Sequence, residues 1–236
     1  MTEKSSTNLT EERKSILRHN LKTVLDTVAG RATVMAATKT VPPEEINFAI
    51  AEGLTDLGEN RVQEFNAKYD SIDRTKARLH FIGTLQPNKV KYLIGRVSLI
   101  HSLDSLKLAS EISRRSERMG LITETLCEVN IGEEAAKGGV PESEVRDFLR
   151  AVRDLPGLRM RGLMVIGPYC PNVEDYRPFL ARTKTLHDRL TTEGFFGEEP
   201  ILSMGMSDNY ALAVEYGATI VRPGTAIFGA RPYPVA

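Results

Sequence analysis

The chain has 236 residues, 41% hydrophobic and 26% charged, and its 31 basic and 31 acidic residues cancel to a formal net charge of zero. That length is enough to bury a full core and falls where α/β barrels run as one unit, so residues 1–236 are expected to form a single domain. Interspersed, balanced charge leaves no electrostatic footprint for nucleic acid or an anionic membrane, and Cys127 and Cys170 lack the spacing of a disulfide framework or a zinc site, so a small-molecule partner is favoured.

In chain order, residues 1–9 read as a polar, disordered tail without the apolar segment of a secretion signal. No stretch approaches the roughly 20 apolar residues of a membrane span, and free thiols suit a reducing compartment, so the expected location is cytoplasmic. A helix is predicted from about Glu11 to Val28, with Thr10 as N-cap and Gly30 just past its end. An alternation then begins. Strands are predicted at Thr33–Thr38, Asp56–Gly58, Leu79–Ile82, Leu99–Ser102, Thr125–Val129, Met160–Met164, Ile201–Ser203 and Thr219–Val221. Between them lie helical stretches at Pro43–Gly53, Arg61–Ala67, Asn88–Ile94, Ser105–Arg118, Pro141–Leu155, Val173–Thr192 and Asp208–Tyr216. Eight βα units in about 200 residues favour an α/β fold of the closed (β/α)8 TIM-barrel type, with an extra N-terminal helix, over an open doubly wound sheet.

Lys39 ends the apolar run from Ala32 to Thr38 and is followed by Val41-Pro42-Pro43. An amine delivered by a buried strand is partly desolvated, which lowers its pKa and lets the neutral form make a Schiff base with an aldehyde. The plain alternative is a strand-end lysine that snorkels to solvent. Barrel position favours the first reading, because barrel sites are built at the C-terminal strand ends and phosphates often sit in the loops after strands seven and eight. After the seventh comes Ser203-Met204-Gly205-Met206-Ser207-Asp208-Asn209, where Ser207 or Asp208 can cap a helix whose first-turn N–H groups attract an anion. After the eighth comes Val221-Arg222-Pro223-Gly224-Thr225-Ala226, where Gly224 admits close backbone approach and Thr225 offers a hydroxyl. Each loop alone reads as a cap or a turn. Together with Lys39 they point to a phosphorylated aldehyde or the ketone of a sugar phosphate.

Six blocks carry a family resemblance: Ala37–Thr40, Leu57–Glu64, Leu79–Gln86, Arg161–Met164, Leu202–Asp208 and Val221–Gly229. In order and spacing, over about Glu11 to Arg231, they closely resemble the pyridoxal phosphate homeostasis proteins, a family of PLP-binding proteins. The resemblance implies the fold-type III barrel, similar to the N-terminal domain of alanine racemase. It also implies that Lys39 holds pyridoxal 5′-phosphate as an internal aldimine, and that Ser207, Gly224 and Thr225 bind the phosphate with backbone N–H groups near Met206 and Gly224. Arg222 would meet the pyridine nitrogen. Asn60 either contacts the ring or its hydroxyl or is a turn or cap residue, and Met164 and Met206 either line the ring face or pack. Lys137 is either a secondary, transient PLP acceptor or a solvated loop lysine. Two positions depart from the family pattern: Pro223 replaces a branched apolar residue and has no N–H for a phosphate, and Thr38 replaces a serine.

An arginine only donates, so the pyridine nitrogen beside it stays unprotonated and the cofactor becomes a weak electron sink. A racemase needs acid/base groups on both faces, and alanine racemase takes its second, a tyrosine, from an added domain for which a chain ending at Ala236 leaves no room. His80 and His101 end strands and either face the barrel mouth or are hydrogen-bonded structural residues. The expected function is therefore reversible PLP binding in intracellular vitamin B6 and amino-acid homeostasis, by a monomer without strong catalytic activity or a metal, with PLP-dependent apoenzymes as possible recipients. A stand-alone amino-acid racemase and a Schiff-base aldolase are the alternatives.

Overall fold

Thr10 starts the first helix as expected: its hydroxyl accepts the Arg13 N–H at 3.2 Å and caps α1 (Glu11–Val28). The structure, a computed structural model, describes residues 9–131, 138–168 and 170–230. Lys137 and most of the N-terminal tail fall outside the described residues. Along α1, Leu17, Leu21, Val24 and Val28 recur at helical spacing and are buried against the rest of the molecule. Arg13, one turn before Leu17 on the same face, ties down the start of the helix. Its Nε and Nη2 donate to the two oxygens of Glu45 in α2 (Pro43–Ala51) at 2.8 and 2.6 Å, and Nη2 also donates to the Phe228 carbonyl.

The strands are β1 (Thr33–Ala37), β2 (Asp56–Glu59), β3 (Arg78–Phe81), β4 (Leu99–Leu103), β5 (Thr123–Asn130), β6 (Val140–Pro141), β7 (Leu158–Val165), β8 (Ile201–Ser203) and β9 (Ile220–Val221). All pair in parallel, in the order β4-β3-β2-β1-β9-β8-β7-β5-β6. The added pairing of β4 with β5 closes the sheet, and the two-residue β6 hangs on β5 outside the ring. Eight strands therefore make a closed (β/α)8 barrel. Its outer helices are α2, α3 (Val62–Lys68), α4 (Leu106–Arg118), α5 (Val145–Val152), α6 (Arg177–Thr192), α7 (Tyr210–Glu215) and α8 (Thr225–Phe228).

Side chains alternate along each strand, so each contributes to two layers. The outer layer, between barrel and helices, is a continuous apolar cluster that includes Leu57, Phe65, Phe81, Ile100, Leu163 and Leu202. The inner layer is small and only half apolar. Met35, Ile82, Leu99, Leu126, Met164 and Ile220 form its hydrocarbon part, and the buried Asp56, His80, His101, Ser203 and Arg222 share the interior.

Four expected helices differ from the prediction. Pro87–Tyr92 is a 3₁₀ helix, begun by Pro87, where Asn88–Ile94 was expected. Over the expected Pro141–Leu155 and Val173–Thr192 stretches, a 3₁₀ turn precedes a shorter α-helix. The last expected helix, Asp208–Tyr216, begins only at Tyr210, because the residues before it turn toward a neighbouring loop. Among the described residues no helix is long and apolar enough to cross a membrane.

Because α1 is keyed into the outer layer, shaving it should cost as much as a core deletion. Leu21→Ala is expected to lower unfolding free energy by about 2–5 kcal/mol in urea titration.

Candidate functional site

Lys39 follows β1 directly, in a turn closed by the Val41 N–H donating to the Thr38 carbonyl at 3.0 Å. Thr40 stands in the left-handed region with φ +63°, a strained conformation for a β-branched residue. Two acidic residues and a buried lysine hold it there. The Thr40 N–H donates to Glu64 Oε2 at 2.7 Å, and Lys68 Nζ donates to the Thr38 carbonyl, to Glu59 Oε1 and to Glu64 Oε2 at 2.8, 2.8 and 3.4 Å. The Thr38 hydroxyl donates to the same Glu59 oxygen at 2.7 Å. Both peptide groups flanking Lys39 are thus clamped from α3. Burial pushes the Glu59 carboxyl up, and Lys68 only partly offsets that.

Ala37 N–H donates to the Pro223 carbonyl at 2.9 Å, which sets the Lys39 turn beside the loop after β9. That loop meets the one after β8 through a single hydroxyl. Ser207 Oγ accepts from the Gly224 and Ala226 N–H groups at 3.0 and 3.1 Å, so its own proton is available as a donor into the cleft. The Met206 N–H is taken by Asn209 Oδ1 at 2.8 Å. The Met206 and Gly224 N–H groups are therefore engaged within the protein, while Ser207 and Thr225 both line the cleft. Ser207 does not cap the helix that follows it; it reaches across to accept from Gly224 and from Ala226 in the first turn of α8. Gly205 makes the geometry possible: it sits at φ +93°, and a Cβ there would lie 2.5 Å from that of Ala213.

Arg222 is 4% exposed. Its Nη1 donates to Ser203 Oγ at 2.8 Å and its Nη2 to the Val165 carbonyl at 2.7 Å, leaving further N–H groups of the fork for a ligand. Burial pulls its pKa down to about 10, with the Glu128 carboxylate opposing, so it remains a cation at neutral pH. Glu128 itself, near the end of β5, is pushed up to about 7 by burial and by Asp104, against the pull of Arg222.

Lys39, Asn60, Met206, Ser207, Arg222, Gly224 and Thr225 all line one cleft of about 170 Å³. Ala37, Ile82, Ile166 and Asp208 complete it, and a neighbouring lobe of about 210 Å³ shares Ile166, Met206, Asp208 and Arg222. The seven residues singled out from sequence are brought together across four loops. Asn60 stays there because Gly83 has no Cβ, which would meet the Asn60 carbonyl oxygen at 2.0 Å. Met164 does not reach the cleft and packs in the inner layer. His80 and His101 point into the barrel and bond each other, away from the mouth. Sequence reasoning missed Ile166, an exposed apolar residue just past a strand end, and Lys68, whose role depends on a fold-back of α3.

A parallel barrel with a lysine at its first strand end, in one cleft with the loops after its last two strands, is of the alanine racemase N-terminal class. The family model described as "Alanine racemase, N-terminal domain" matches residues 14–232. The pyridoxal phosphate homeostasis protein of Aquifex aeolicus is 46% identical over 202 residues, covering 86% of this chain and 88% of that protein. The structure of PipY from Synechococcus elongatus with PLP bound is 30% identical, with TM-score 0.83, covering 90% of this chain and 100% of that one. Alanine racemase from Corynebacterium glutamicum, 16% identical, shares the fold with TM-score 0.70 over 93% of this chain and 62% of its own. The chain belongs to the pyridoxal phosphate homeostasis protein family.

Two stability measurements probe the site without any ligand. Lys68→Met leaves Glu59 buried without its partner and is expected to cost about 3–5 kcal/mol, with much of the loss recovered by adding Glu59→Gln. Glu128 has a folded pKa above its free value of 4.5, so the native state binds the proton more tightly and stability falls as pH rises from 4.5 through about 7. Glu128→Gln should remove that slope and gain up to about 3 kcal/mol at pH 8 but little at pH 4, read from denaturation midpoints across pH.

Proposed function

We propose that this protein binds pyridoxal 5′-phosphate reversibly as a Schiff base on Lys39 and serves intracellular PLP, vitamin B6 and amino-acid homeostasis as a carrier, without strong catalytic activity. The observation that carries this reading is the single cleft in which an amine, a clustered set of hydroxyl donors and a buried guanidinium converge. The names of the relatives and the PLP bound to PipY support it.

Each residue has a task that its surroundings suit. Lys39 presents its amine from a clamped turn, which limits the entropy lost on attachment. The Ser207 hydroxyl, with Thr225, meets the phosphate, and Gly224 lets the backbone come close. Ile82, Ile166 and Met206 offer apolar walls to a ring, and Asn60 is placed to reach its polar edge. When bound, PLP supplies an aldehyde that condenses with amines and a ring that withdraws electrons from the carbon so attached. Arg222 tempers the second property, because a guanidinium gives the pyridine nitrogen a hydrogen bond but no proton. Holding and release then outweigh turnover, and PLP-dependent apoenzymes are the recipients. We place this activity in the cytoplasm, in a monomer formed by a single domain.

A stand-alone racemase is the second reading, favoured by Glu128, near the end of β5, whose carboxyl is pushed up to about 7. One such group serves one face, whereas racemisation needs a proton donor or acceptor on each.

The wild-type protein with PLP is expected to show a visible band that borohydride bleaches, with peptide mapping placing the reduced adduct on Lys39. Lys39→Ala should abolish the band while leaving far-ultraviolet circular dichroism unchanged; persistence of the band would sink the assignment. Exchange of the α-proton of L- or D-alanine into deuterated solvent would establish the racemase reading instead.

A further inference from the structure

Beneath the cleft, side chains from four strands and the loop after β9 form one hydrogen-bonded file through the barrel interior. Asp56 Oδ1 lies 2.8 Å from His80 Nε2, His80 Nδ1 lies 3.1 Å from His101 Nε2, and His101 Nδ1 lies 3.0 Å from Ser203 Oγ. Ser203 Oγ in turn meets Arg222 Nη1 at 2.8 Å. The Asp56 end opens on a cleft of about 490 Å³ at the opposite, N-terminal end of the strands, where Arg78 and Thr55 also donate to its carboxylate. The charged groups around the file are Asp56, Arg78, Glu124, Arg161 and Glu199 at this base, and Arg222 with Glu128 and Asp104 at the other end.

The two ends dictate the direction of every bond between them. Arginine only donates, so Ser203 Oγ accepts from Arg222 and must spend its single proton on His101 Nδ1. His101 is fully buried between His80 and Arg222, which keeps its ring neutral, so its proton sits on Nε2 and is donated to His80 Nδ1. His80 then carries its proton on Nε2, facing Asp56, a carboxylate held down to about 2 that only accepts. With both rings neutral, this is the pattern that satisfies all five groups: turning His80 would set its bare Nε2 against the Asp56 carboxylate, and turning His101 would set two bare nitrogens against each other.

Resting on the PLP reading above, we propose that His80 and His101 are positioning residues: as Nε2–H tautomers they relay a one-way hydrogen-bond file from Asp56 that fixes the Arg222 guanidinium presented to the pyridine end of the cofactor. A pair of histidines serving only as polar filler would not need this direction. Replacing mere filler would leave Arg222 where Val165 holds it. The relay instead keeps the Ser203 lone pair aimed at Arg222, because the Ser203 proton always has an acceptor behind it.

The test begins with the full chain, ¹⁵N-labelled and free of cofactor. Long-range ¹H–¹⁵N spectra at pH 7 are expected to show bare Nδ1 and protonated Nε2 on both rings, and resolved, slowly exchanging guanidinium protons for Arg222. His101→Leu and Ser203→Ala cut the file at different points, and each should collapse the Arg222 signals. With PLP added, each should also weaken retention roughly tenfold and move the pH midpoint of the visible band, as expected for losing one hydrogen bond to a charged group. His101→Gln keeps a donor and an acceptor and should restore much of both. A proton on Nδ1 of either ring, or Arg222 signals unchanged in both variants, overturns the relay. Normal signals for the relay with an unmoved pH midpoint overturn its link to the cofactor. Absence of a visible band in the wild type overturns the PLP reading alone, since the cofactor-free spectra still decide the relay.

Discussion

The pairing of the first strand with the last governs the rest of the molecule. Thr33 and Val34 register against Ile220 and Val221, and the ladder continues into the loop as Ala37 N–H reaches the Pro223 carbonyl. Parallel strands in a closed ring leave all their C-terminal ends on one rim. Lys39 and Gly224, far apart in the chain, become neighbours only through that closure. The adjacent pairing of β8 with β9 then brings Ser207 close enough to bridge the two anion loops.

Closing the ring also creates an interior that must be filled, and this chain fills half of it with polar groups. A buried guanidinium is tolerable only with acceptors, and Arg222 has the Val165 carbonyl and the Ser203 hydroxyl. The histidine pair and Asp56 extend that satisfaction down the barrel to a carboxylate near solvent. Cohesion therefore comes mainly from the outer apolar layer, where α1 to α8 pack on the strands. The inner layer supplies directed hydrogen bonds instead, at the site where direction matters.

Local strain sits at the same rim. Thr40 holds a left-handed conformation, and Gly205 and Gly83 permit approaches that a Cβ would block. The Lys68–Glu59–Glu64 cluster holds the Lys39 turn from α3 and so isolates it from the flexibility usual for loops. A clamped lysine turn, a hydroxyl bridge and a doubly bonded guanidinium make the cleft a preformed one, as the proposed reversible binding requires.

Much of this was legible in the linear chain. Short apolar runs bounded by Gly and Pro marked the eight barrel strands to within two residues at each end, because backbone pairing in a buried parallel strand demands such runs. A lysine just past the first run, and Ser- and Gly-containing loops past the last two, marked Lys39, Ser207, Gly224 and Thr225 by position alone. Other features depended on which way a side chain points once the ring has closed. Whether His80 and His101 face the mouth or each other follows from their register between β3 and β4. Met164 and Ile166 point the same way from the end of β7, but Met164 lies one layer down in the packed interior and Ile166, just past the strand end, lies at the cleft. Ser207 looked like a cap for the helix that follows it, yet in space it accepts from Gly224 and Ala226 at the start of α8. Sequence by itself determined which residues stand at strand ends, since that is a matter of local hydrophobic pattern. Only the tertiary structure decided their partners, since those hydrogen bonds join residues that nothing but barrel closure brings within 3 Å.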